Sequence, residues 1–154
     1  VEVIQTMRKI VVHVENSPLI HKHNQAPQNK NDRFITKSTC YHAALMATEI
    51  EAKAICTLTN SGYTAYQISA WRPDSSILVF TSNRRILTQL NLLWGVKCHY
   101  YNRFVSTDET VVDVNLIAKE KGYVKTGDSL VNLLAMPVAN KGMVNTLRVS
   151  VIKD

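Results

Sequence analysis

Thr59-Asn60-Ser61-Gly62 sets three polar side chains and a glycine in consecutive positions, and Tyr63-Thr64 adds two more hydroxyls directly after them. Hydroxyls donate hydrogen bonds, and glycine lets the backbone approach closely or take a positive φ. The run ahead of the turn, Ala54-Ile55-Cys56-Thr57-Leu58, is apolar and partly β-branched and predicts a buried strand. A helix is expected to start at about Thr64-Ala65-Tyr66-Gln67-Ile68. Strand, small polar turn and helix together leave backbone N–H groups and a positive dipole end aimed at one spot. Such a spot suits a phosphate or a carboxylate. The plainer alternative is that the hydroxyls only cap the helix.

Other chemistry is sparse. There is no G-x-S-x-G, H-E-x-x-H or G-x-x-x-x-G-K-[ST] pattern. His13, His42 and His99 stand alone, with His42 expected on a helix and His99 in a strand. His21-x-His23 lacks a third ligand at metal spacing, so no metal site is expected. Cys40, Cys56 and Cys98 are odd in number and lack CxxC spacing, which predicts reduced thiols in an intracellular protein, with Cys56 and Cys98 packed in strands.

The net charge is +6 and the pI is near 9.3, which raises a nucleic-acid partner whose binding would fall steeply with salt. The basic residues are scattered, however, and no helix-turn-helix or RNA-sheet signature accompanies them. A solvated surface with no nucleic-acid partner is the better reading. No apolar run is long enough to span a membrane, and Val1 to Val14, broken by Glu2, Gln5, Arg8, Lys9 and His13, does not read as a signal peptide. The 154 residues, 45% of them hydrophobic, are enough for one domain with a real core.

The elements that position the turn follow in order. Val3, Ile4, Met7, Ile10, Val11 and Val14 have helical spacing. This helix, residues 1–16, has no N-cap of its own and reads as cut from something longer. Residues 17–36 are polar and Asn/Gln-rich with two prolines, and predict a linker. Lys37 to Ala52 predicts a helix with a small-sided stripe, Cys40, Ala43, Ala44, Ala47 and Ile50. This helix and the first one both look able to pair with another subunit.

The first strand is expected over about Lys53 to Leu58, followed by a helix from Thr64 to Trp71 that stops before Pro73. Ile77 to Thr81 is the second strand. Ser82 or Asn83 is expected to cap a helix with the face Ile86, Leu87, Leu90, Leu93 and Trp94, ended by Gly95. Val96 to Tyr101 is the third strand. Ser106-Thr107-Asp108-Glu109 is a capping box, serine reaching forward and glutamate back, that opens a helix with Val111, Val114, Leu116, Ile117 and Ala118 inward, ended at Lys121-Gly122. Ser129 to Leu134 and Thr146 to Ile152 are the last strands.

Helices between the first four strands imply right-handed parallel crossovers, and the helix-free last connection implies an antiparallel fifth strand. The expected fold is therefore α/β: a three-layer α/β/α domain with a five-stranded mixed sheet of order 3-2-1-4-5. Ligands collect beyond the carboxyl ends of such strands, where the order reverses. Two loops meet there, Thr59–Thr64 and Ala135–Asn145, and Lys141 or another basic residue is expected to help hold an anion between them.

Several stretches in this order and spacing resemble the C-terminal domain of the pyruvate kinase family. They are Glu51-Ala52-Lys53-Ala54-Ile55, Leu58-Thr59-Asn60-Ser61-Gly62, Trp71-Arg72-Pro73, Ile77 to Asn83, Gly122-Tyr123-Val124-Lys125-Thr126-Gly127-Asp128 and Met143 to Val149. Val1 to Met7 resembles the helix leaving that family's catalytic barrel, which would make residues 1–16 the barrel exit, 17–36 a polar linker and 37–154 the α/β domain.

The resemblance implies a cytoplasmic glycolytic enzyme that transfers phosphate from phosphoenolpyruvate to ADP, with Mg²⁺ and K⁺ at a barrel in the same polypeptide and a homotetrameric assembly. The barrel motifs are absent from this sequence, so no catalytic residue, metal or cofactor is expected on it. The domain itself is expected to supply subunit contacts and an allosteric site for a phosphorylated sugar or nucleotide. The effector's phosphate is expected in Thr59, Asn60, Ser61, Gly62, Tyr63 and Thr64, with Lys141 and Gly142 in a second loop.

Two departures from the family pattern matter. Regulated members often carry a basic residue where Asn60 stands, and a Trp-Arg-Pro-Gly type loop where this sequence has Met136 to Gly142. A bisphosphate needs two cradles and only one is clear, so a monophosphate or no effector is expected. The competing reading is a stand-alone α/β ligand-binding or interaction module.

Overall fold

The computed structural model describes residues 1–17, 26–28, 31–103, 106–136 and 143–153. Its continuous apolar runs form the inner strands. β1 (Ala54–Leu58), β2 (Ser76–Thr81) and β4 (Ser129–Leu134) are buried at nearly every position, as strands covered on both faces must be. β3 (Val96–Tyr100) and β5 (Thr146–Val151) are the edges. The order is β3-β2-β1-β4-β5. Ile55 lies beside Ile77 and Val131 in parallel register, and Leu133 faces Leu147 across the antiparallel β4–β5 pair.

Helices cover both faces unequally. α2 (Phe34–Glu49), α3 (Tyr63–Ala70) and α4 (Arg84–Leu90) pack on the face carrying Ile55, Ile77, Val79, Val131 and Leu133. α5 (Thr107–Glu120) packs by Val114 and Ala118 against Ala54, Cys56, Leu78, Phe80 and Leu130 on the other. The fold is thus the expected three-layer α/β/α sandwich.

The small stripe of α2 is spent inside this core: Cys40, Ala43, Ala44 and Ala47 are all within 1% of full burial. Small side chains let the helix lie close to the sheet and to α3, so the stripe is not a surface for another subunit. α1 (Glu2–Glu15) is the opposite case. It has no buried residue, and Val3, Ile4, Met7 and Ile10 are more than half exposed. Its described tie to the domain is the hydrogen bond from Trp94 Nε1 to Glu15 Oε1 at 2.7 Å.

Helix ends depart from the sequence reading for local reasons. α2 begins at Phe34 rather than Lys37, because Asn31 closes the preceding turn: its side chain accepts from Arg33 N–H and its carbonyl from Phe34 N–H. α2 ends at Glu49 rather than Ala52. Glu51 sits at φ 51, and the bonds Glu51 N to Thr48 O and Ala52 N to Ala47 O complete a Schellman stop with no glycine to announce it. α5 ends by the same pair of bonds at Gly122, as expected.

α4 is capped by Asn83 but stops at Leu90, short of Leu93 and Trp94. The reason is Asn91, whose side chain turns to accept from the Cys98 N–H of edge strand β3. On α5 the expected inward Leu116 is 52% exposed, because it is off the face shared by Val111, Val114 and Ala118. The capping box closes differently too. Ser106 Oγ accepts from Glu109 N–H and donates to Glu109 Oε2, so the glutamate meets the serine hydroxyl rather than its backbone.

Candidate functional site

Four helices begin at one edge of the sheet. α3, α4 and α5 each leave the carboxyl end of a parallel strand, and α2 runs into the amino end of β1, so its own start lies back at that carboxyl edge. α5 neutralises its start with Asp108 and Glu109. α2, α3 and α4 have no acidic residue in their first turns. Their positive dipole ends are therefore left uncompensated on one side of the edge, where Arg33, Lys37, Arg84 and Arg85 add charge.

The β1–α3 turn sits in the middle of this edge. Thr59 still belongs to the sheet by its N–H bond to Phe80 O, and its Oγ1 accepts from Gly62 N–H at 2.9 Å. Asn60 and Ser61 are exposed. Ser61 Oγ accepts from Tyr63 N–H, and Asn60 O accepts from Asn83 Nδ2 at 3.2 Å, which ties the turn to the start of α4.

Gly62 caps α3 at φ 83, and a Cβ there would meet Leu90 Cδ2 at 2.9 Å, so both the conformation and the space demand glycine. The backbone N–H groups of Thr64 and Ala65 have no acceptor among the described residues. Thr64 itself is 4% exposed, which makes its side chain the least reachable of the six expected site residues. The fully buried Thr57, two residues before the turn, has a hydroxyl with no partner among the described residues.

The second expected loop is described at its ends alone. Asn145 clamps its base, accepting from Met136 N–H at 2.8 Å and donating Nδ2 to Met136 O at 3.0 Å. Lys141 and Gly142 lie outside the described residues, as do His21 and His23.

Arg33, a residue the sequence reading left in the linker, reaches the turn from the start of α2. Its guanidinium lies 4.4 Å from the centre of the Tyr63 ring. α2 and α3 run side by side, so the same pairing repeats along them: Lys37 and Gln67 line one groove with Trp71, and the Tyr41 ring meets Trp71 edge-on at 5.0 Å. No local sequence signal marks Arg33, because its partner lies a helix and a strand further on.

The three cysteines are buried. Burial pushes the Cys40 and Cys56 thiols up to about 12, and raises Cys98 as well. His99 is lowered by burial and then by Lys121 and Lys97. Among the described residues no group of three or more His, Cys, Asp or Glu side chains could hold a metal ion. No described helix is long and apolar enough to cross a membrane.

The family described as "Pyruvate kinase, alpha/beta domain" matches residues 37–150. A pyruvate kinase of Clostridium acetobutylicum is 32% identical across 99% of this chain and 32% of its own length. One from Geobacillus stearothermophilus is 33% identical across 100% of this chain and 26% of its own. The chain thus spans a third or less of these two relatives. A solved pyruvate kinase from Cryptosporidium parvum superimposes with a TM-score of 0.73 at 23% identity, over 87% of this chain and 26% of that one, which is a likeness of fold. The chain belongs to the pyruvate kinase alpha/beta-domain family.

Proposed function

We propose that this chain is the regulatory and subunit-contact domain of a pyruvate kinase, and that residues 59–64 hold the phosphate of a small effector. The enzyme would pass phosphate from phosphoenolpyruvate to ADP at a catalytic barrel elsewhere in the polypeptide, in the cytoplasm. Mg²⁺ and K⁺ belong to that barrel, and nothing on this chain performs the transfer.

The observation that carries the effector reading is the open turn itself. Ser61 and Asn60 are exposed between helix starts that carry no carboxylate of their own. A phosphate there would meet the exposed side chains of Asn60 and Ser61 and helix starts with no carboxylate in their first turns. A sugar or nucleotide monophosphate fits one such cradle better than a bisphosphate does.

Two exposed surfaces support the contact role. The apolar side of α1 suits the barrel of the same polypeptide. The free edge of β5, with Val149 and Val151 about half exposed, suits a second subunit in a tetramer.

Titration with hexose and nucleoside monophosphates, followed by backbone amide NMR, tests the effector reading. Shifts at residues 60–65 are expected. Millimolar ligand that leaves those amides unmoved would place the site elsewhere, or nowhere. Pyruvate production from phosphoenolpyruvate and ADP by this chain alone is expected to be nil.

A further inference from the structure

The turn lacks a charged residue of its own, since Asn60 is neutral, yet a cation stands beside it. We infer that Arg33 is the phosphate-reading cation of this site and that the Tyr63 ring is the platform that holds it ready. The inference rests on the reading of residues 59–64 as the phosphate loop and adds the residue that sets its affinity and ligand class.

The geometry runs through Tyr63. Its ring carries the Arg33 guanidinium at 4.4 Å, and its backbone N–H bonds Ser61 Oγ, so one residue joins the cation to the exposed hydroxyl. Stacking uses the flat face of the guanidinium and leaves its edge N–H donors free for a planar, two-pronged grip on phosphate oxygens. Arg33 is exposed, and no carboxylate among the described residues pairs with it. Its backbone is fixed at the start of α2 by its N–H bond to Asn31 Oδ1 and by accepting from Lys37 N–H. Arg84 stands over Tyr100 of the edge strand at 4.5 Å, a contact made with a different element from the turn.

One guanidinium and one hydroxyl turn make one phosphoryl subsite. Among the described residues this is the one such pairing of a stacked guanidinium with an exposed hydroxyl turn, and the ligand class it fits is a phosphomonoester.

Amide NMR and calorimetry on the protein, with inorganic phosphate, a hexose 6-phosphate and a hexose bisphosphate as probes, test this. The expected result is that the monoester shifts the amides of residues 60–65 and that the bisphosphate binds within about threefold of it. Arg33→Gln should weaken the monoester about tenfold or more, the usual loss for a charge-assisted bidentate contact. Arg33→Lys should recover part of that, because a point charge remains without the fork. Tyr63→Leu should weaken binding in the same direction, while Tyr63→Phe, which keeps the ring face, should not.

Binding at residues 60–65 that is unchanged in Arg33→Gln would overturn the role of Arg33 and leave the phosphate loop standing. If no probe moves those amides in the unmodified protein, the loop reading and the Arg33 inference fall together. Circular dichroism checks that each variant is folded, which the exposure of Arg33 favours.

Discussion

Gly62→Ala probes the turn where its geometry is least forgiving. At φ 83 an alanine must adopt the left-handed conformation, at a cost of about 1–2 kcal/mol. Its methyl then meets Leu90 Cδ2 at 2.9 Å. Leu90 can rotate, but it is 1% exposed and its neighbours fill the space, so relief costs about 1–3 kcal/mol of overpacking. The stiffer unfolded chain returns about 0.4–1 kcal/mol. The net expectation is a loss of about 1–4.5 kcal/mol, large against a typical domain stability of about 5–15 kcal/mol.

Urea unfolding followed by circular dichroism reads the change from the midpoint at constant slope. A double-mutant cycle separates its two parts. Leu90→Ala alone should cost about 2–5 kcal/mol. Because it also removes the clashing methyl group, the double variant should lose at least about 1 kcal/mol less than the sum of the single losses. A loss under about 0.5 kcal/mol for Gly62→Ala would refute the strained turn. Additivity within about 0.5 kcal/mol would refute the contact with Leu90.

Glu51→Gly should stabilise the protein by about 0.5–1 kcal/mol, since Glu51 holds φ 51 at an exposed helix stop; an unchanged melting midpoint would argue against that conformation. Thr57→Val keeps the side-chain shape and deletes a buried hydroxyl without a partner, so unfolding free energy should rise by about 1 kcal/mol, and a fall would reveal a bound water or other acceptor. His99 favours its neutral form in the folded state, so the unfolded chain binds the proton more readily, and stability present above the ordinary value of 6.5 is lost as pH falls through it towards the lowered folded value. His99→Asn should therefore flatten the stability curve between about pH 7.5 and 5, and parallel curves for the two proteins would contradict the assignment.

How far the sequence could be read depended on whether each signal was local. Ile77 to Phe80 is an unbroken apolar run, and Leu130 to Leu134 one interrupted by the buried Asn132, because both their faces are covered, and that pattern places the inner strands. The lack of a helical period in the sequence between Leu134 and Thr146 predicts an antiparallel last strand, and β5 pairs antiparallel with β4. Gly122 announced the end of α5, but Glu51 performs the same stop for α2 under a residue type that gives no warning. The end of α4 was hidden because Asn91 looks like one more helical residue until its side chain is seen on the β3 backbone. At the site, Thr59 to Gly62 was legible as a turn with donors. Arg33 was not, since a contact between the starts of two neighbouring helices exists only after both have been laid on the sheet.

The same side-by-side packing decides what the turn can influence. α3 is eight residues long, about 12 Å, and a helix that short moves as one body. Its amino end is the turn at Gly62. At its carboxyl end Ser69 Oγ donates to Trp94 O at 2.8 Å, and the Arg72 guanidinium lies 4.9 Å from the centre of the Trp94 ring system. Trp94 in turn donates its indole N–H to Glu15 of α1. Through the described contacts, a ligand that shifts the start of α3 reaches α1 by moving the carbonyl and ring of a single tryptophan. Rigid packing alone transmits nothing unless some contact along the way has two arrangements. In this chain of contacts the bond between Trp94 and Glu15 is the one outside the core, because α1 has no buried residue. A ligand held at the turn, as proposed, would therefore act on α1 through that one bond, and Trp94→Phe, which deletes the indole N–H, should uncouple the two.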